Sequence, residues 1–251
     1  MDAPLTIVTG GAAGIGRAIA RRGAARGDRR LLVARGADRL DAVAGELGCS
    51  ALAADVAHDD GIVALAERLA TEPRIRLLVN NAGGPFRAPL LDHDHEAARA
   101  AVDLLYLAMV RVTALAWDGL VAERGRIVNV VSVAGTVATG SAPHYAAAKH
   151  AAVAWSRALH VEAAEHGVHV LTANPGPVAT SAFPHQRLRS QLRARRAVRD
   201  DGDCADRILR ALERGRAESF QPEWWRAAAV AQASAPGSMA RLARRGRGRF
   251  G

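Results

Sequence analysis

The chain has 251 residues, 49% of them hydrophobic and 24% charged, with a mean hydropathy near zero. This is enough for one large domain or two small ones, and it excludes a disordered chain, a collagen-like repeat and a disulfide scaffold. Cys49 and Cys204 stand far apart in no ligand pattern, so a zinc site has no support and a reducing compartment is expected. The formal charge of +9 is confined to the last third: residues 1–180 carry 18 basic and 18 acidic side chains, residues 181–251 carry 16 and 7.

In chain order, short apolar runs alternate with longer amphipathic ones. Leu5–Thr9, Arg30–Ala34, Ser50–Ala54, Leu77–Asn80, Arg126–Val131 and Val168–Ala173 read as buried strands. Segments 14–26, 37–47, 59–71, 93–120 and 145–166 carry apolar residues at helical spacing. Such alternation predicts an α/β fold, a Rossmann-type doubly wound parallel sheet with helices on both faces. Charged residues interrupt every apolar run, so no membrane span is expected. The N-terminus enters its first strand without a signal-like basic region, and a cytoplasmic protein is the expectation. Residues 1–251 read as a single domain, with a core over about 5–180, a flap and basic helices over 181–245 and a mobile tail over 246–251.

Ligands of such sheets bind at the carboxyl ends of the strands, and the informative motifs fall there. Thr9-Gly10-Gly11-Ala12-Ala13-Gly14-Ile15-Gly16 follows the first strand and opens the first helix. Glycines permit the tight turn, and the helix N-terminus offers free N–H groups to a pyrophosphate. At the end of the second strand stands Ala34-Arg35 rather than a carboxylate. A carboxylate would bind the adenosine ribose hydroxyls and repel a 2′-phosphate, whereas an arginine pairs with that phosphate, so NADP(H) is favoured over NAD(H).

Tyr145 and Lys149 lie one helical turn apart, and Lys149 is the only lysine among 34 basic residues. In a chain that uses arginine elsewhere, this position asks for a compact ammonium. A phenol loses its proton near pH 10, and a neighbouring cation favours the phenolate, so the pair can exchange a proton with a substrate hydroxyl or carbonyl. Ser132, at the end of a strand thirteen residues earlier, can hydrogen-bond the same substrate oxygen.

Together these residues resemble the short-chain dehydrogenase/reductase family over residues 5 to about 180. The likeness takes in Thr9–Gly16, Asp55-Val56, Asn80-Asn81-Ala82-Gly83, Asn129-Val130-Val131-Ser132, Tyr145/Lys149 and Asn174-Pro175-Gly176-Pro177-Val178-Ala179-Thr180. The resemblance implies that Tyr145 is the acid/base, that Ser132 positions the substrate oxygen, and that Lys149 holds the nicotinamide ribose and depresses the tyrosine pKa. It implies cofactor contacts from Gly10, Gly14, Ile15, Gly16, Asp55, Val56, Asn81, Ala82, Gly83, Pro175 and Gly176, with Val178 and Thr180 on the carboxamide. The implied activity is NADP(H)-dependent interconversion of a carbonyl and a secondary alcohol, in a homodimer or homotetramer. One position departs from the family pattern. Asp103, in Val102-Asp103-Leu104-Leu105-Tyr106, stands where an asparagine usually helps hold a proton-relay water. The alternatives are a non-redox enzyme on the same fold, such as a dehydratase or cyclase, and a cofactor-sensing protein acting through the basic tail.

Other features are discounted. Asp92-His93-Asp94-His95-Glu96 reads as an acidic helix start rather than a metal site. His144 and His150 read as packing or surface residues, although His144 stands next to Tyr145. The tail holds arginines over Ser181–Asp203, a helix over Cys204–Gly215, a short strand at Glu218–Gln221 ended by Pro222, then Trp224-Trp225 and an Ala/Arg segment. Many members of the resembled family end instead in a glycine-rich loop that supports tetramers. The arginine-rich ending reads as a solvated basic helix, with no nucleic-acid partner expected and surface association with a membrane left open.

Overall fold

A computed structural model describes residues 3–23, 29–84, 86, 95–137, 142–179 and 199–247. Seven strands form one parallel sheet: β1 (Leu5–Thr9), β2 (Arg29–Ala34), β3 (Ser50–Ala53), β4 (Ile75–Asn80), β5 (Arg126–Val130), β6 (His169–Pro175) and β9 (Glu218–Gln221), in the order β3-β2-β1-β4-β5-β6-β9. β7 (Val178–Ala179) and β8 (Arg199–Asp200) make a separate two-residue parallel pair. The helices are α1 (Gly14–Gly23), α2 (Ala37–Leu47), α3 (Asp59–Leu69), α4 (His95–Val102), α5 (Ala108–Glu123), α6 (Pro143–Ala164), α7 (Asp201–Glu213), α8 (Trp225–Ser234) and α9 (Pro236–Arg247).

The strands are apolar runs because both faces are covered, as parallel sheets require. Successive side chains point to opposite faces, so each strand feeds two cores. Val8, Leu32, Val79, Val128, Leu171 and Ala173 pack with Ile15 and Ile19 of α1, Leu40 and Val43 of α2, and Ile208 and Leu212 of α7. On the other face Leu5, Ile7, Leu31, Val33, Leu78, Ile127 and Val170 pack with Leu65 and Leu69 of α3, Val112, Ala116 and Leu120 of α5, and Ala163 of α6. A side chain of this kind contributes roughly 1.5–3 kcal/mol when fully buried. The chain crosses from one half of the sheet to the other between β1 and β4, which places a crevice at their carboxyl ends.

The expected strands and helices are present, with ends displaced by a few residues. β4 begins at Ile75 rather than Leu77, and β6 runs on to Pro175. The long helix expected over 93–120 is divided. Between α4 and α5 a π-helical turn, Asp103–Leu107, adds one residue to the winding, and the Ala108 N–H bonds the Asp103 carbonyl. The joined helix His95–Glu123 is also longer and more apolar than the charge interruptions suggested, enough by length and composition to cross a membrane. In this fold its apolar residues lie against the sheet, where Val112, Ala116 and Leu120 are buried. The Ala/Arg ending forms the helical pair α8 and α9, and α9 carries Gly246 and Arg247 within it. Residues 92–94 and most of the expected flap, 181–198, lie outside the described residues.

Candidate active site

The crevice begins at the β1–α1 turn. Gly10 and Gly14 have φ of +66° and +53°, a left-handed backbone that a side chain would strain. The Thr9 hydroxyl donates to the Val79 carbonyl (3.3 Å) and accepts from the Asn81 and Ala82 N–H groups (3.0 Å each), tying the ends of β1 and β4 together. The Asn81 amide donates to the Thr9 and Gly10 carbonyls at 3.1 and 3.2 Å. A Cβ on Gly16 would stand 2.5 Å from the Gly10 carbonyl oxygen and 2.4 Å from Asn81 Nδ2, so its bareness lets α1 seat against the turn. The first turn of α1 holds no acidic residue, which leaves its N–H groups and partial positive charge open to an anion.

Ile15, Val56 and Val178 turn their side chains into the cores, so they offer the crevice only backbone. Arg35 is 70% exposed, with Nη1 3.8 Å from the Asp55 carboxylate. An exposed pair at that separation is weak, and the guanidinium is available to another anion. The Asp55 carboxylate also accepts from the Ala57 N–H (3.1 Å). Behind it, a Cβ on Gly61 would meet the Asp55 carbonyl oxygen at 2.1 Å, so α3 holds this loop by direct backbone contact. Ala82 packs against the core and Gly83 is exposed beside Leu105.

Ser132, Tyr145 and Lys149 converge where β5 ends and α6 begins. The Ser132 hydroxyl accepts from the Ala134 N–H (3.1 Å), capping the short turn Val133–Gly135, and lies near enough to the Tyr145 phenol to favour its ionised form. A Cβ on Gly135 would lie 2.6 Å from the Lys149 carbonyl, so this turn rests directly on α6. Tyr145 sits among Ala101, Leu105, Ala148, Phe86 and Leu104. Burial pushes its phenol pKa up, against the opposing effect of Ser132. Lys149 is only 5% exposed, and burial lowers its ammonium to about 8. Its Nζ donates to the Val130 carbonyl at 3.4 Å and lies 5.9 Å from the centre of the Tyr145 ring.

Asp103 opens the π turn and is half-buried, and among the described residues its carboxylate has no hydrogen-bond or ion-pair partner. Beneath the site a buried polar chain crosses three strands. The Asn80 amide donates to Thr113 Oγ1 and Asn129 Oδ1 (2.9 Å each), the Asn129 amide donates to Ser156 Oγ (2.9 Å), and Ser156 bonds Thr172 (2.7 Å). Pro175 and Gly176 close the carboxyl end of β6, with the Gly176 N–H donating to the Gln221 carbonyl (2.8 Å). The space a Gly176 side chain would need is filled by Trp225, whose Nε1 is 2.6 Å away. Thr180 lies outside the described residues. Sequence reasoning passed over Gly61 and Gly135 and gave Trp225 no place in the site, since each acts through a partner distant in the chain.

A glycine turn at the head of a parallel sheet, beside a Ser–Tyr–Lys cluster, defines a nucleotide-binding α/β enzyme fold. Residues 4–190 match the family model for short chain dehydrogenases, and the chain belongs to that family. It is 32% identical over 169 residues to the NADPH-dependent 1-acyldihydroxyacetone phosphate reductase of Schizosaccharomyces pombe, covering 66% of this chain and 57% of that protein. It is 34% identical over 198 residues to galactitol 2-dehydrogenase (L-tagatose-forming) of Cereibacter sphaeroides, covering 76% and 78%. The chain thus spans under two thirds of the first of these relatives. A short chain dehydrogenase from Burkholderia cenocepacia J2315, solved in complex with NADP, superposes with a TM-score of 0.81 at 27% identity, over 96% of this chain and 98% of that one.

Proposed function

We propose that this chain is an NADP(H)-dependent oxidoreductase interconverting a carbonyl and a secondary alcohol, with Tyr145 as the acid/base. The observation that carries the reading is the meeting of Ser132, Tyr145 and Lys149 at the carboxyl ends of the strands, the edge of the sheet that also carries the Gly10–Gly16 turn. When bound, the nicotinamide supplies or accepts the hydride. The chain's own residues do the rest. In reduction Tyr145 gives its proton to the substrate oxygen, and its raised pKa keeps it in the protonated form that this step needs. Ser132 donates a second hydrogen bond to the same oxygen as it gains charge. Lys149, near 8 at its buried position, returns the proton to the tyrosine, with a water held near Asp103 completing the supply. Replacing the usual asparagine by Asp103 keeps an acceptor there and loses an amide donor.

The turn over Gly10, Gly14, Ile15 and Gly16 would take the pyrophosphate, Asp55 and Val56 the adenine, and Asn81, Ala82 and Gly83 the adenosine side. Tyr145 and Lys149 would hold the nicotinamide ribose, with Pro175, Gly176, Val178 and Thr180 along the carboxamide. Arg35, exposed and only loosely engaged by Asp55, fits a 2′-phosphate. NADP and NADPH in the names of similar proteins support the same cofactor. Fluorescence titration with NADPH and NADH tests the reading. Wild-type protein is expected to prefer NADPH, and Arg35→Ala to lose at least tenfold in NADPH affinity with little change for NADH. Binding of neither nucleotide would overturn the oxidoreductase reading.

A further inference from the structure

The Trp225 indole N–H is buried and, among the described residues, has no hydrogen-bond partner. Trp225 begins α8, directly after the strand β9, and Trp224 stacks on its ring with centres 4.3 Å apart and planes inclined by 24°. The indole edge is held against Gly176, where Nε1 and Cδ1 lie 2.6 and 3.2 Å from the position a Cβ would take. The Gln221 carbonyl, 3.2 Å from that same position, accepts from the Gly176 N–H. An aromatic N–H of this kind ordinarily finds a partner when buried.

Its place in the sheet says what the partner would be. Val130 pairs with Ala173, and Pro175 with Gln221. Carried two residues past the end of β5, that register puts Ser132 level with Pro175, and the row Ser132, Pro175, Gln221 crosses the carboxyl edge of the sheet. Adjacent strands are about 4.8 Å apart, so Gly176 follows the residue level with Ser132 one strand away, and the Trp225 indole edge fills the space a Gly176 side chain would take. We propose that Trp225 is a cofactor-positioning residue whose indole N–H donates to an oxygen of the nicotinamide half of NADP(H). This rests on the cofactor reading above. The tail then contributes to catalysis through one donor, and Gly176 is bare so that the donor can approach.

An unsatisfied buried donor costs the empty protein free energy that ligand binding recovers. Two replacements isolate the donor: Trp225→Phe, and benzothienylalanine at position 225, which keeps the ring system and replaces N–H by sulfur. The readouts are thermal melting of the empty protein and dissociation constants for NADPH and for adenosine 2′,5′-bisphosphate, which lacks the nicotinamide half. The sulfur isostere is expected to melt no lower than wild type when empty, to bind NADPH about five- to tenfold more weakly, and to bind the bisphosphate unchanged. Unchanged NADPH affinity in the isostere would overturn the proposal while the cofactor reading stands. So would an equal loss for both ligands, which would mark a general structural role. Failure of the wild type to bind either nucleotide would overturn the cofactor reading first and this assignment with it.

Discussion

Lys149 shows how a residue proposed for the chemistry can be costly to the fold. Its ammonium is buried against one carbonyl at 3.4 Å, and burial lowers its pKa from 10.5 to about 8. Below about pH 8 both the folded and unfolded chains carry the proton, and the folded state bears the full penalty of burying the charge. Between about 8 and 10.5 the unfolded chain binds more protons than the folded one, so stability attributable to this group rises with pH across that window. Lys149→Met, which keeps the apolar stem and removes the charge, is therefore expected to be more stable than wild type at pH 7 in urea denaturation. The difference should shrink as pH rises from 8 to 10.5, while turnover is lost. A variant less stable than wild type at pH 7 would contradict this account. The sequence singled out Lys149 because it is the only lysine. Its pKa could not be read there, because desolvation is set by Val130 and the rest of the packing around α6.

Among elements, the junction of β5 and α6 governs the geometry of the site. Ser132 and Tyr145 are thirteen positions apart in the chain, and the turn Val133–Gly135, resting on the Lys149 backbone, brings Ser132 close enough to act on the Tyr145 phenol. A methyl on Gly135 would collide with that backbone at 2.6 Å, and backbone yields only by moving α6 or the turn. Displacement by about 1 Å can cost on the order of a hundredfold in rate. Gly135→Ala is accordingly expected to lower turnover at least tenfold, measured with NADPH and a carbonyl substrate, while the protein still folds. Wild-type turnover in this variant would show that the contact is not needed to align Ser132 with Tyr145. The π turn Asp103–Leu107 is a second such junction. An amphipathic helix and a helix with one extra residue have nearly the same apolar periodicity over this length, so the division between α4 and α5 was not legible. The strands were, since uninterrupted apolar runs have few other destinations in a protein of this size.

For the molecule as a whole, the charge and the fold are largely separate. The two cores are closed by α1, α2 and α7 on one face and α3, α5 and α6 on the other. α7 docks on α1, where Arg22 pairs with Asp206. α9, by contrast, makes its main contacts with α8, and α8 has no buried residue. Residues 236–251 hold five arginines and no acidic residue, so their removal takes the formal charge from +9 to +4. Truncation after Ala235 is expected to leave the melting temperature within about 2–4 °C of wild type, since little apolar area is lost. The same variant should elute earlier from a cation exchanger. A large fall in melting temperature would show that α9 is part of the folded core.

The sequence by itself determined the parallel sheet, the glycine turn, the pairing of Tyr145 with Lys149 and the place of Arg35, because each is written in neighbouring residues or in a short-range period. Tertiary structure alone decided which bare glycines are crowded by backbone or side chains distant in the chain. Gly176 read as a place of close approach by cofactor, and it is also the seat of Trp225, forty-nine positions away. The same holds for the Asn80–Asn129–Ser156–Thr172 chain, whose members come from β4, β5, α6 and β6. A buried donor needs an acceptor at about 3 Å, and only the packed fold fixes which residues come that close.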